Sequence, residues 1–128
     1  MIVVDTSALM AVLLDETTAD ECKAILLGGE PLAMSAGTYH EALIVARSRG
    51  VDAEMKLLID IAGIDIVPFD ANTARRAADA YDRWGKGNHP ARLNICDTHA
   101  YALAAETGGT LLFVGDDFAK TDIPDAMG

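Results

Sequence analysis

Four short apolar runs, Ile2–Val4, Pro31–Met34, Ile64–Val67 and Thr110–Val114, are each separated by stretches long enough for at least one helix. This spacing constrains the fold more than any other feature of the chain. A tight hairpin joins antiparallel strands, whereas a helix-length connection carries the chain back so that the next strand runs the same way. The first run is β-branched and has the continuous apolar character of a strand buried on both faces. Ile64-Asp65-Ile66-Val67 alternates, with one wetter face, and Pro68 ends it.

The intervening stretches read as helices. Ser7–Leu14 is capped by Thr6 or Ser7, and the next helix starts at the capping-box sequence Thr18-Ala19-Asp20-Glu21 and closes at Gly28-Gly29. Ser35–Gly50 and Asp52–Ala62 follow. Asn72–Trp84 sets Ala74, Ala77, Ala78, Tyr81 and Trp84 against a charged face, the pattern of a surface helix. Gly85–Leu93 is a loop, and Asn94–Thr107 is a largely apolar helix before the last strand. The expected fold is a three-layer α/β/α sandwich around a central parallel sheet, with residues 1–128 forming one domain.

In such sheets, ligands bind beyond the carboxyl ends of the strands. Two acidic sites fall there, Asp5 after the first run and Asp116-Asp117 after the last. Two further acids lie near helix starts: Glu41 in TYHEALIVA and Asp97 in NICDTHAYALA. Each has an ordinary explanation. Thr38-x-x-Glu41 has the form of a capping box, Asn94-x-x-Asp97 resembles one, Asp5 can be a turn residue and Asp116-Asp117 a loop pair. Together they mean more, because carboxylates gathered at one sheet edge repel one another and a divalent cation removes that penalty. Hard carboxylate oxygens select Mg²⁺ or Mn²⁺.

The charge balance agrees with this route to a substrate. Twenty acids against ten bases give a net charge of −10, which argues against passive binding to a polyanion but leaves open an enzyme that reaches phosphate through metal held by carboxylates. No stretch approaches the roughly 18 consecutive apolar residues of a membrane span, and Met1–Leu14 lacks the basic segment and cleavage site of a signal peptide. A cytoplasmic location is expected. Cys22 and Cys96 lie in apolar surroundings without framework spacing and read as reduced thiols; Cys96-x-x-His99 is half of a zinc site without its second half.

Four segments in order, VVDTSALMAVLLDE, SAGTYHEALIVARSRG, WGKGNHPARLNICDTHAYALA and LLFVGDDFAKTDI, span essentially the whole chain. By these the chain resembles PIN-domain ribonucleases, and within them the toxins of VapBC-type toxin–antitoxin pairs. The resemblance implies an RNA-cleaving enzyme using Mg²⁺ or Mn²⁺, with Asp5, Glu41, Asp97 and one of Asp116 and Asp117 as its acidic residues. Asp117 is favoured over Asp116. Asp5 and Asp97 are the expected direct ligands; Glu41 and Asp117 ligate through water, complete a second site or orient the nucleophile. The resemblance also implies a VapB-type antitoxin with a basic inhibitory segment, and a homodimer.

Supporting residues carry less information. Thr6 and Ser7 place hydroxyls at the pocket rim or simply cap a helix. Arg83, Lys86, His89 and Arg92 form the densest basic segment, which meets RNA phosphates or is a solvated loop. Asn94 is an N-cap, a contact to Asp97, or both. His40 and His99 read as helix residues rather than ligands, and Tyr81 and Trp84 as packing residues. Two rival functions fit an aspartate after the first strand. A haloacid-dehalogenase-like phosphatase wants a second acid two residues on, where Ser7 stands. An acidic Mg²⁺-binding signalling module wants a lysine after a late strand, where Gly115-Asp116-Asp117 stands.

Overall fold

The computed structural model describes all residues from Met1 to Gly128. Four strands, β1 (Ile2–Val4), β2 (Leu32–Ser35), β3 (Asp65–Val67) and β4 (Thr110–Leu112), form one parallel sheet in the order β3-β2-β1-β4. Six helices connect them: α1 (Thr6–Leu13), α2 (Ala19–Leu26), α3 (Ala36–Ser48), α4 (Asp52–Ala62), α5 (Ala71–Trp84) and α6 (Ile95–Thr107).

The period-2 geometry of the strands divides the apolar residues between two cores. Ile2, Val4, Leu32, Met34 and Leu112 face one layer, where they pack with Leu9, Cys22, Ala42, Ala46, Met55 and Ile59 of α1–α4. Val3, Ala33, Leu111 and Phe113 face the other, against Trp84, Leu93, Tyr101 and Leu103 from α5, α6 and the loop between them. Met34 and Leu112 are fully buried, each gaining about 1.5–3 kcal/mol of hydrophobic stabilisation. Both faces of the sheet are covered, as continuous apolar strands require.

Strands pass into helices at the carboxyl edge almost without loops. Ser35 ends β2 and also caps α3, its Oγ accepting from Gly37 N at 3.1 Å. Asp5 follows β1 directly and caps α1. The first cap is therefore Asp5, not Thr6 or Ser7, both of which lie inside the helix. Thr18 makes no side-chain cap bond at α2, so the capping-box sequence there is not used. β4 stops at Leu112, two residues short of the apolar run.

At the β4 edge the chain returns. Leu111 N donates to Pro124 O and Ala126 N donates to Leu111 O, both at 2.9 Å, so residues 124–126 lie alongside β4 as an added parallel partner. That covers backbone groups that an open edge would leave free.

Candidate active site

Asp5 is 5% exposed, and its two carboxylate oxygens have different environments. Oδ2 accepts from Ser7 N at 3.1 Å and from Ser7 Oγ at 2.6 Å. Oδ1 is buried without a hydrogen-bond partner. Burial, opposed by the Ser7 bonds and assisted by the charge of Glu41, pushes the Asp5 carboxyl up to about 6. A buried acceptor left unpaired costs on the order of 1–3 kcal/mol, and the protein compensates only one oxygen of Asp5.

Ser7 does more than donate to the cap. Its Oγ also accepts from Val114 N at 3.0 Å, which ties the carboxylate of Asp5 to the chain leaving β4. Thr6 Oγ1 donates to Thr38 O at 3.3 Å and so joins the starts of α1 and α3. Both hydroxyls act within the protein framework at this edge.

Asp97 sits at the third position of α6 in a complete capping box. Its Oδ2 accepts from Asn94 N at 3.0 Å while Asn94 Oδ1 accepts from Asp97 N at 2.8 Å. The cap uses one oxygen and leaves the other available. Burial raises this carboxyl first, with Asp5, Glu41 and Asp117 adding repulsion against the Asn94 bond, and it reaches about 7. Glu41 is different: with Ser35 as the cap of α3, it stands in the second turn, too far along to serve a capping box with Thr38. Its charge falls instead on Asp5 and Asp97.

Asp116 and Asp117 are both exposed in the turn after β4. Of the two, Asp117 is close enough to act on Asp97. The fold thus brings Asp5, Glu41, Asp97 and Asp117 within electrostatic reach of one another from four separate parts of the chain. Cys96 joins them, a residue whose place the sequence did not reveal: burial raises its thiol first, followed by the charge of Glu41 and then those of Asp97 and Asp5. Its position next to Asp97 was the available signal.

The basic segment is partly committed to other contacts. Arg83 lies over the Trp84 ring at 4.5 Å and pairs with Asp122 at 3.5 Å. Lys86 and Arg92 are exposed and form no ion pair; Arg92 takes a left-handed backbone, φ 57°, just before Asn94. His89 packs edge-on against Trp84 at 4.6 Å and accepts from Ala91 N through Nδ1. Tyr81 lines a hollow of about 500 Å³ between α5 and α6 with Phe69, Ala74, Ile95 and His99. None of Asp5, Glu41, Asp97 and Asp117 lines that hollow.

No three His, Cys, Asp or Glu side chains are gathered tightly enough to grip a metal ion by themselves. The donor set still fits a hard divalent cation. It offers the unpartnered Oδ1 of Asp5, the free oxygen of Asp97 and two nearby carboxylates, and such ions keep several waters rather than demanding a closed protein cage.

Comparison with known proteins follows the same outline. A family model described as PIN domain matches residues 2–124. Ribonuclease VapC42 of Mycobacterium tuberculosis is 44% identical over 125 residues, 94% of this chain and 95% of that protein. Ribonuclease VapC of Mycolicibacterium smegmatis is 40% identical over 124 residues, 94% and 96%. Among solved structures, Mycobacterium tuberculosis VapC20, described as a sarcin-ricin loop cleaving toxin, superposes with a TM-score of 0.78 at 16% identity and 98% coverage of both chains. A toxin–antitoxin complex from Klebsiella pneumoniae gives 0.73 at 18% identity, with 100% of this chain and 98% of that one covered.

Proposed function

The chain belongs to the PIN-domain family and, within it, to the VapC ribonucleases, and from that premise we propose that it is a metal-dependent endoribonuclease and the toxin of a toxin–antitoxin pair. The observation that carries the reading is the unpartnered, buried Oδ1 of Asp5 among the charges of Glu41 and Asp97. Asp5 and Asp97 are the proposed direct ligands of Mg²⁺ or Mn²⁺, with Glu41 and Asp117 completing the negative set.

A bound divalent ion supplies a water acidic enough to attack phosphorus and positive charge for the phosphate oxygens. The protein supplies the rest. Ser7 fixes Asp5 by holding Oδ2, which leaves the buried Oδ1 without a protein partner and free to bind a cation. Asn94 does the same for Asp97, using the helix cap as a clamp. Asp97 holds its proton to near neutral pH when nothing else balances the pocket, so deprotonation and metal entry are coupled. Exposed Lys86 and Arg92 are available to RNA phosphates, whereas Arg83 is already committed to Trp84 and Asp122.

Three partners belong to this reading. RNA is the substrate. A VapB-type antitoxin would present a basic segment, because the chain carries a net charge of −10 and an arginine or lysine can replace metal among the carboxylates. A second copy of the chain is the third. The exposed face of α5 supports it: Arg75 and Asp82 lie two turns apart around exposed Ala78, so two antiparallel α5 helices would pair Arg75 with the Asp82 of the other copy twice. Reversing either charge should give monomers, and reversing both should restore the dimer.

The deciding experiment incubates the purified full chain with structured and unstructured RNA, with Mn²⁺ or with a chelator. Cleavage should need the metal and vanish in Asp5→Asn. Metal-independent cutting, or none by the parent chain under any divalent ion, would remove the proposal.

A further inference from the structure

Two of the four acids come from different layers of the sandwich, Glu41 from α3 and Asp97 from α6. The layers meet over the carboxyl edge through an unusual contact. Gly37, in the first turn of α3, lies against the imidazole of His99 in the second turn of α6. A Cβ on Gly37 would come within 2.7 Å of His99 Cγ and 2.8 Å of Cε1, and closer still to Nδ1. Only a residue without a side chain admits the ring. Phe69 also packs against His99, with ring centroids 4.4 Å apart and planes tilted by 52°.

His99 is therefore a flat wedge held between the start of α3 and the segment leaving β3. Gly37 precedes Glu41 by about one helical turn, and His99 follows Asp97 by two residues. The thickness of the ring sets how closely the two acid-bearing helices approach. Glu41 and Asp97 repel, so some rigid element must fix their separation; tightly packed interiors transmit such a constraint without slack. Divalent metal coordination is sensitive to that separation, since small hard ions demand near-ideal ligand geometry.

We propose that Gly37 and His99 are positioning residues whose contact acts as a spacer between Glu41 and Asp97. The spacer works by its shape: the face of the ring fills the space that Gly37 leaves open, and the buried Nδ1 makes no well-formed hydrogen bond, although the ring lies near the Gly37 backbone and feels the charge of Glu41. An aromatic ring of similar thickness should replace it. The proposal rests on the metal site described above and specifies what holds that site open.

The test is calorimetric titration of the full chain with Mn²⁺, with thermal melting measured beside it. Gly37→Ala should weaken Mn²⁺ binding by about tenfold to a hundredfold, the range found when groups orienting metal ligands are lost. His99→Phe should bind nearly as the parent does, and His99→Ala should bind more weakly. The double variant Gly37→Ala/His99→Ala should recover most of the affinity lost in Gly37→Ala, because the new methyl then occupies space the ring has vacated. A folded Gly37→Ala with parental affinity, or a double variant without recovery, overturns the spacer. Should Gly37→Ala fail to fold, the two His99 variants decide: equal weakening by Phe and Ala overturns the proposal. A parent chain that binds no Mn²⁺ removes the metal site and the spacer with it, whereas parental binding unchanged in every variant removes the spacer alone.

Discussion

The carboxyl edge of the sheet and the flank where α5 and α6 meet the returning chain treat charge in opposite ways. On the flank, charges find partners. Arg76 pairs with Glu106, Arg83 with Asp122, and Tyr101 donates to Asp122 while accepting from Trp84 Nε1 at 3.0 Å. At the carboxyl edge, the largest causes pushing Asp5 and Asp97 up are burial and neighbouring acids. The flank matches its charges with partners, whereas the edge relieves its repulsion by protonation or, on the reading proposed above, by a bound cation.

Variants should separate the two regions, most sharply at the edge. Asp5→Asn or Asp97→Asn should reduce RNA cleavage by at least about a hundredfold, as expected when a metal ligand is lost, while the metal-free melting temperature stays level or rises, since a repelling charge is gone. Cleavage assays beside thermal melts measure both. An unfolded variant would place that carboxylate with the structural charges of the flank.

Next in size is the tail. Asp117→Asn should cost more activity than Asp116→Asn, because Asp117 acts on Asp97. The reverse ranking in initial-rate measurements would move the fourth acid by one residue.

The flank gives the mirror result. Tyr101→Phe strands Trp84 Nε1 and one oxygen of Asp122, which should lower stability by about 1–3 kcal/mol in denaturant titration while leaving cleavage by the folded fraction unchanged.

The pH dependence of stability tests the same two acids without a substitution. Asp5 and Asp97 are raised from 3.8 to about 6 and about 7 in the folded chain. Between about pH 4 and 7 the folded state therefore binds more protons than the unfolded one, so the metal-free chain should lose stability as pH rises through that window. Saturating Mn²⁺ should oppose the trend, since metal binds the deprotonated pocket. Melting curves across the range with chelator and with Mn²⁺ would show whether the slope belongs to these acids.

Much of this contrast was legible in the residues. Spacing alone gave parallel strands, and Asn94-x-x-Asp97 was a true capping box. Glu41 was harder, because Thr38-x-x-Glu41 has the same form; only the direct passage of β2 into α3, which makes Ser35 the cap, frees Glu41 for another role. Thr18 erred for the opposite reason, since a local capping sequence does not guarantee the bond. The basic segment shows where one-dimensional reading ends: Arg83, Lys86 and Arg92 are neighbours in sequence, yet a stacked Trp84 and the distant Asp122 claim one of them. The Gly37–His99 contact joins residues far apart in the chain, and no pattern of spacing announces it.

The return of residues 124–126 to β4 has a consequence in polymer terms. The segment from Phe113 to Ile123 leaves the sheet beside Leu111 and comes back to Leu111, so it is a tether with both feet tied. A chain held at one end explores a volume that grows with its length, whereas one held at both ends loses most of that freedom before anything binds. Asp117, exposed and without a cap bond of its own, lies within this closed segment, where its charge acts on Asp97. Its order is secured by backbone pairing on the far side of the strand, so the entropy of placing the fourth acid is lost during folding and need not be lost again when the pocket fills.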